Sequence, residues 1–192
     1  HNYVTFIIRD ELKIFNKDDF RYNTKNLTID GNSINLYLPS LSEFKQLLIL
    51  EIINFDLLNT CMNRLPVSLK SLKYINCSDD FDDCLKNLHK LINLEELCLD
   101  AHMLHITTYS YRENNIEYYG ISSGCTGEIT PIPNNLKIRK ILLWFDFLWD
   151  LENKQKNFRD VILSHKAFKL IKDKIISITC DETYITIMLN NS

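Results

Sequence analysis

Three segments near the middle of the chain place apolar residues at positions i, i+3 and i+5. They begin at Leu47, Leu69 and Leu94, so their starting points lie 22 and 25 residues apart. Alternation of apolar and polar residues over a short stretch predicts a β-strand with one buried face. The return of the same pattern at an almost constant interval predicts a repeat architecture, in which equivalent strands stack side by side in parallel.

The residues around these segments resemble the leucine-rich-repeat superfamily, whose consensus is LxxLxL followed three residues later by Asn or Cys. The segment that begins at Leu69 reads LKSLKYINC and places Cys77 at the Asn-or-Cys position. The string LPVSLKSL, from Leu65 to Leu72, resembles the repeats of bacterial effector proteins and the FNIP repeats of amoebae and giant viruses. The resemblance implies an α/β leucine-rich-repeat solenoid, with a curved parallel sheet on the concave side, helices and turns on the convex side, and a cap at each end.

The pattern divides the chain into three parts. Residues 1–20 do not match the repeat and are predicted to form an N-terminal cap over the open end of the stack. Residues 21–146 contain the repeats, and residues 147–192 are predicted to form a helical last repeat and a C-terminal cap. In this last part, apolar residues recur at helical spacing from Phe158 to Ile171, and strands are predicted around Ile176 and Ile178 and at Tyr184–Leu189. The chain begins with His1 rather than Met, so we expect the true N-terminus to be missing.

Residues 103–135 are irregular and allow two interpretations. A segment that begins at Ile116 keeps the repeat spacing and lies 22 residues after Leu94, which predicts that the stack continues without a break. Alternatively, residues 107–111 and 116–121 form a β-hairpin that is inserted between two repeats and projects from the sheet.

An acidic cluster at residues 78–85 suggests a calcium loop or the first turn of a helix. The apolar residues of Leu85–Leu91 recur at helical spacing, and negative charge stabilises the N-terminus of a helix. An EF-hand loop that began at Asp79 would need Gly where Cys84 stands and Glu where Lys90 stands. The pattern therefore favours a helix and no calcium site.

Composition and motifs argue against catalysis, cofactors and metals. The chain is 45% hydrophobic, carries a net charge of −3 and contains only four glycines, so it offers neither a broad basic surface nor a glycine-rich phosphate loop. No membrane-spanning apolar run and no hydrolase, P-loop, zinc-protease or dinucleotide motif is present. Asp100, His102 and His105 offer three metal ligands without an obvious fourth. The sequence predicts a non-enzyme without cofactor, metal, nucleic acid or membrane as a partner.

None of the six cysteines shows the close pair spacing of zinc and redox sites. We expect reduced cysteines that pack as small apolar residues, with a disulfide pair as the alternative. These cysteines are Cys61, Cys77, Cys84, Cys98, Cys125 and Cys180.

The side chains between the buried aliphatic residues of each strand are predicted to face solvent on the concave side. Ile53, Ile75 and Trp144 have no folding reason to be apolar there, and Tyr118 and Trp144 are of the types that dominate interface energetics. The predicted partner-binding residues are Glu51, Ile53, Lys73, Ile75, Glu96, Asp100, Tyr118, Lys140, Leu142 and Trp144.

These features predict a non-enzymatic protein–protein interaction module. The resemblance implies a pathogen or viral protein that engages a host protein, and it favours a cytoplasmic location, including delivery into a host cell. One alternative is the substrate-recognition domain of a larger enzyme or ubiquitin-ligase complex. Another is a solenoid that binds carbohydrate or nucleic acid through the basic segment Lys154–Lys174. The oligomeric state and the identity of the partner are not indicated.

Overall fold

A mostly parallel seven-stranded sheet organises the part of the chain that the computed structural model describes, namely residues 24–30, 41–54, 65–77, 81–124, 129–146 and 158–190. The strands are β1 (Asn26–Asp30), β2 (Ile49–Ile53), β3 (Ser71–Ile75), β4 (Glu96–Asp100), β5 (Ile106–Glu113), β6 (Ile116–Ser123), β7 (Lys140–Trp144), β8 (Ile175–Cys180) and β9 (Tyr184–Leu189). The order in the sheet is β1-β2-β3-β4-β7-β9-β8, and β5 and β6 form a separate two-stranded sheet. The predicted N-terminal cap, residues 1–20, lies outside the described residues.

The predicted parallel ladder is confirmed for β1 to β4 and β7. Leu50 pairs with Leu72, and Leu72 pairs with Leu97, which in turn pairs with Ile141. All four side chains are fully buried. Strands that alternate with a period of two bury one face, so each strand adds its aliphatic residues to one shared core.

Backbone hydrogen bonds just before each strand fix the register from one strand to the next. The N–H groups of Lys70 and Ser71 both donate to the carbonyl of Leu48, at 2.8 and 3.0 Å. The N–H groups of Glu95 and Glu96 make the same pair of bonds to the carbonyl of Lys70, at 2.8 and 2.9 Å. Equivalent residues therefore meet at every step, which brings the side chains of the opposite face into rows.

Cys77 occupies the Asn-or-Cys position of its segment and is buried. Its thiol donates to the carbonyl of Ile52 in the preceding segment, at 3.4 Å. A small side chain with a donor thus satisfies a buried carbonyl between adjacent segments.

Helix α1 (Phe81–Leu88) follows the acidic cluster, as predicted. Leu85 and Leu88 are buried in the core, and Leu91 continues the apolar stripe beyond the end of the helix. Asp82 and Asp83 lie in the first turn, while residues 78–80 lie outside the described part of the chain.

The C-terminal part contains shorter helices than the spacing of its apolar residues predicts. Helix α2 (Phe158–Ser164) ends before His165, whose backbone is extended at φ −69° and ψ 135°. Short 3₁₀ helices follow at Lys166–Phe168 and Lys172–Lys174, and two more occur at Leu41–Glu43 and Ala101–Leu104. The predicted helical stripe through Ile171 is therefore broken, because His165 begins a new helix instead of continuing the old one. The two predicted C-terminal strands are present as β8 and β9.

The irregular segment forms the hairpin, and the prediction of a further parallel strand at Ile116 is wrong. Strand β5 pairs antiparallel with β6, and Glu113 lies opposite Ile116. Asn114 and Asn115 have φ values of 50° and 63°, the left-handed conformation that a two-residue hairpin turn requires. Strand β7 consequently lies directly beside β4.

Candidate binding face

Nine of the ten predicted binding residues lie on the face of the sheet opposite the buried leucines. We call the face formed by these alternate side chains of β1 to β4, β7 and β9 the open face. The pairs Glu51–Lys73, Ile53–Ile75, Glu96–Lys140 and Asp100–Trp144 are direct neighbours in the strand register. The parallel register therefore brings together side chains that are up to 93 residues apart in sequence, from Glu51 to Trp144.

An apolar row lies on the open face at the carboxyl ends of the parallel strands. It comprises Ile53 and Ile75 on one side of the buried Asp100 of β4 and Trp144 and Tyr184 on the other, and these four apolar side chains are all half-buried. Tyr184, the first residue of β9, lies opposite Trp144 of β7, and its place in this row was not predicted. The alternation of residues 184–189 indicated a strand, but no local signal placed that strand next to β7.

The predicted solvent exposure of Asp100 is wrong, because its side chain is buried, and Cys98 on the same face of β4 is buried as well. The carboxylate of Asp100 accepts a hydrogen bond from the N–H of His102 at 2.9 Å and so caps the 3₁₀ helix Ala101–Leu104. Burial raises the pKa of Asp100, although this hydrogen bond acts in the opposite direction. Asp100 is thus a structural cap at the level of the apolar row.

The thiol of Cys98 lies in the middle of the open face, between Lys73 and Leu142 in the register. Burial raises the pKa of Cys98 to about 12, and the positive charge of Lys73 offsets this only in part. The thiol stays protonated at neutral pH, whereas a nucleophilic cysteine requires the thiolate. A short side chain is covered by longer neighbouring side chains. Strand alternation alone therefore overestimates the solvent exposure of Cys98.

Tyr118 does not belong to the open face. Its backbone lies in β6, opposite Tyr111 of β5, and therefore in the hairpin. The prediction placed Tyr118 on a strand between β4 and β7, a position that no strand occupies.

Ion pairs occupy the middle of the open face. Lys73 binds Glu51 at 2.8 Å, and Thr28 donates to the same carboxylate at 3.3 Å. Partial burial lowers the pKa of Lys73, but the hydrogen bond and the charge of Glu51 outweigh it and leave the pKa raised. Lys140 pairs with Glu96 at 3.4 Å. These charges compensate one another, so the middle of the face is polar and close to neutral.

A ladder of amides borders the open face beyond the apolar row. The amide nitrogen of Asn76 donates to the side-chain oxygen of Asn54 at 2.7 Å, and Asn54 donates to Asp30 at 3.0 Å. Asn54 and Asn76 have φ values of 54° and 50°, which Asn tolerates better than most residues. Sequence reasoning missed this ladder, although the two asparagines stand 22 residues apart at equivalent positions.

Neither a metal centre nor a disulfide forms among the described side chains. No group of three His, Cys, Asp or Glu residues in this part of the chain could hold a metal ion, so Asp100, His102 and His105 do not assemble one. Cys77, Cys98 and Cys180 are buried and form no disulfide with a described residue, as expected for structural cysteines. The side chains of the other three cysteines, Cys61, Cys84 and Cys125, lie outside the described part. Within the described residues, no helix is long and apolar enough to cross a membrane.

No known protein family, no curated protein and no solved structure matches this chain.

Proposed function

We propose that the chain is a leucine-rich-repeat module that binds a protein through the open face of its sheet. The spacing of 22 and 25 residues between Leu47, Leu69 and Leu94 supports the repeat assignment, and so does the parallel register of the strands that these residues introduce. The thiol of Cys77, bonded to the preceding segment, occupies the position where the repeat consensus has Asn or Cys.

The apolar row carries the binding proposal. Ile53, Ile75, Trp144 and Tyr184 are half-exposed on the side of the sheet that does not contribute to the leucine core. Folding does not require large apolar side chains at these positions, and apolar clusters on a surface mark sites for partners. Tryptophan and tyrosine are also the residue types that contribute most to interface affinity.

The surroundings of the apolar row favour a protein partner over a small substrate. The titratable groups beside it include an ion pair between Glu51 and Lys73, a protonated thiol at Cys98, and the buried carboxyl group of Asp100, which caps a 3₁₀ helix. These groups form neither a nucleophile with an activating base nor a metal centre. The resemblance of LPVSLKSL to effector repeats adds a host protein as the kind of partner.

The test is a selection of random displayed peptides on the folded protein, followed by affinity measurement on variants. Peptides that bind the open face are expected to lose roughly thirtyfold in affinity on Trp144→Ala, because truncating a central interface tryptophan commonly costs about 2 kcal/mol. Ile75→Asp should weaken the same peptides.

Ile92→Asp is the matched control. Ile92 is an exposed isoleucine, 55% accessible, in the turn before β4 and outside the open face. Circular dichroism establishes that each variant folds. Equal binding by Ile75→Asp and Ile92→Asp, with no effect of Trp144→Ala, would contradict the proposed face.

A further inference from the structure

The two ends of the parallel strands carry charges of opposite sign. Asp30 and Asp100 end β1 and β4, and Asp146 stands two residues after β7. The turn between β8 and β9 adds Asp181 and Glu182 at the same end, where the carbonyl of Thr183 accepts the N–H of Phe145 at 3.0 Å. Among the described residues at or just after these strand ends and in this turn, none is Lys or Arg. Asp100 is buried and Asp30 accepts a hydrogen bond from Asn54, so the exposed carboxylates at this end are Asp146, Asp181 and Glu182, which we call the acidic border.

The amino ends of the same strands are basic. At or within three residues before the first residue of each parallel strand, the described charged residues comprise five cations and two carboxylates. The cations are Lys25, Lys70, Lys137, Arg139 and Lys140, and the carboxylates are Glu95 and Glu96.

The two carboxylates at the amino ends are already engaged. Glu95 pairs with both Arg139 and Lys70, at 3.3 Å for the latter, and Glu96 pairs with Lys140. The hydrogen bonds from Arg139 and Lys70 lower the pKa of Glu95, so its carboxylate stays ionised and is compensated by these two cations. Positive charge remains in excess at this end.

A strand of five residues separates the two ends by about 15 Å. This distance exceeds the screening length of about 8 Å at physiological salt, so the acidic end and the basic end each act on a different part of a bound partner. Complementary charge steers association and fixes the orientation of the bound molecule, whereas like charges disfavour it. A partner that places an apolar side chain on Trp144 therefore meets carboxylates beside that contact and cations further along the strands.

We propose that the occupant of the open face is a polypeptide segment in which Lys or Arg flanks the apolar side chain that contacts Trp144, with Asp or Glu placed toward the amino ends of the strands. This inference rests on the proposed binding function and specifies the chemistry of the partner. The acidic border sets the composition of the segment, and the basic ends set its direction across the sheet.

The first experiment reads the composition of the displayed peptides that bind in a Trp144-dependent manner. Their apolar anchor is expected to be flanked by Lys or Arg more often than in the unselected library. Trp144-dependent peptides with acidic or uncharged flanks would overturn the inference while leaving the proposed function intact. The absence of any Trp144-dependent peptide would overturn the binding face and this inference with it.

The second experiment neutralises the acidic border in the triple variant Asp146→Asn, Asp181→Asn and Glu182→Gln. In the wild type, the carboxylate of Asp181 accepts hydrogen bonds from the N–H groups of Thr183 and Tyr184 at 2.8 and 2.7 Å. The side-chain oxygen of asparagine at this position can accept the same two bonds. The selected peptides should bind about tenfold more weakly, since each exposed charge pair contributes modestly, and their affinity should depend less on salt.

The matched control removes the same number of charges elsewhere, with Glu113→Gln, Asp160→Asn and Asp173→Asn. These residues lie in β5, in α2 and in the 3₁₀ helix before β8. The control should bind like the wild type. If both triple variants reduce affinity equally, the effect comes from net charge and the proposed role of the acidic border is wrong.

Discussion

The imidazole of His165 joins two parts of the chain that lie 61 residues apart. Its Nε2 atom lies 2.9 Å from the carbonyl oxygen of Leu104, and its Nδ1 atom accepts the N–H of Ala167 at 3.1 Å. Because a backbone N–H can only donate, Nδ1 carries no proton and Nε2–H donates to Leu104. The buried ring is therefore held as the neutral tautomer with both nitrogens satisfied.

Acid should destabilise this arrangement. Burial lowers the pKa of His165 from its ordinary value of 6.5; the Leu104 carbonyl acts against this, while the nearby basic groups His105 and Lys166 lower it further. The unfolded chain then binds more protons than the folded chain, so the free energy of unfolding is highest above pH 6.5 and falls as the pH drops from that value through the folded pKa.

His165→Asn isolates this contribution. Asparagine still caps Ala167 as a helix N-cap residue but is too short to reach Leu104, whose buried carbonyl loses its donor. An unsatisfied buried group costs about 1–3 kcal/mol. Loss of the ring, whose centroid lies 5.7 Å from that of Phe168, adds about 1 kcal/mol, so the variant should be about 2–4 kcal/mol less stable at alkaline pH.

Urea unfolding followed by circular dichroism, from about pH 8 to about pH 5, measures both effects. The difference in the free energy of unfolding between the wild type and His165→Asn should decrease as the pH falls. Protonation of His165 disrupts the neutral ring's hydrogen bonds in the wild type, and the substitution has already removed the ring from the variant. His89→Asn, at an exposed histidine just after α1, is the control for the loss of an imidazole elsewhere in the chain. A gap that stays constant with pH, or one below about 0.5 kcal/mol at pH 8, would refute the assignment of the neutral tautomer.

Three further substitutions test the fold. Leu72→Ala should lower the free energy of unfolding in urea by about 2–5 kcal/mol, because Leu72 is fully buried among aligned leucines. Lys73→Ala on the open face should lower it by about 1 kcal/mol or less. Equal losses from the two substitutions would contradict a sheet with one buried and one open face. Gly120→Ala would place a Cβ atom 2.2 Å from the ring of Tyr109, so amide hydrogen exchange in the hairpin should accelerate, and Tyr109→Ala in the same chain should reverse this. Asn76, at φ 50°, should lose about 1 kcal/mol on change to Ala and less on change to Gly, as urea unfolding would show; a greater loss with Gly would mean that its amide bond outweighs its backbone conformation.

The parallel part of the sheet could be predicted from the sequence because its information is local and repeated. Leu50, Leu72 and Leu97 each sit in a short alternating strand, and their nearly constant spacing leaves parallel stacking as the simple arrangement. The rows of the open face followed from the same register. Eight predicted binding residues were therefore placed on that face with their side chains at least partly accessible.

The remaining features do not follow from the repeat spacing. A strand that begins at Ile116 is compatible with a further parallel repeat and also with a β-hairpin. The left-handed turn at Asn114 and Asn115 distinguishes the hairpin from the repeat. The burial of Asp100 depends on the 3₁₀ helix that it caps. Tyr184 reaches the apolar row because β9 inserts beside β7, which no local pattern encodes.

The direction of β9 limits how the architecture can grow. Strands β1 to β4 and β7 all run the same way, so each presents the next with an equivalent set of backbone groups. Strand β9 runs against them and is followed by β8, so the side of the sheet beyond β7 no longer matches another copy of the unit. Duplication of residues 49–70 should be accommodated within the parallel series, because the new strand would have a parallel strand in the same register on each side. The C-terminal strands would thus move outward, unchanged in their pairing with the last parallel strand, with every unit that is added within the parallel series.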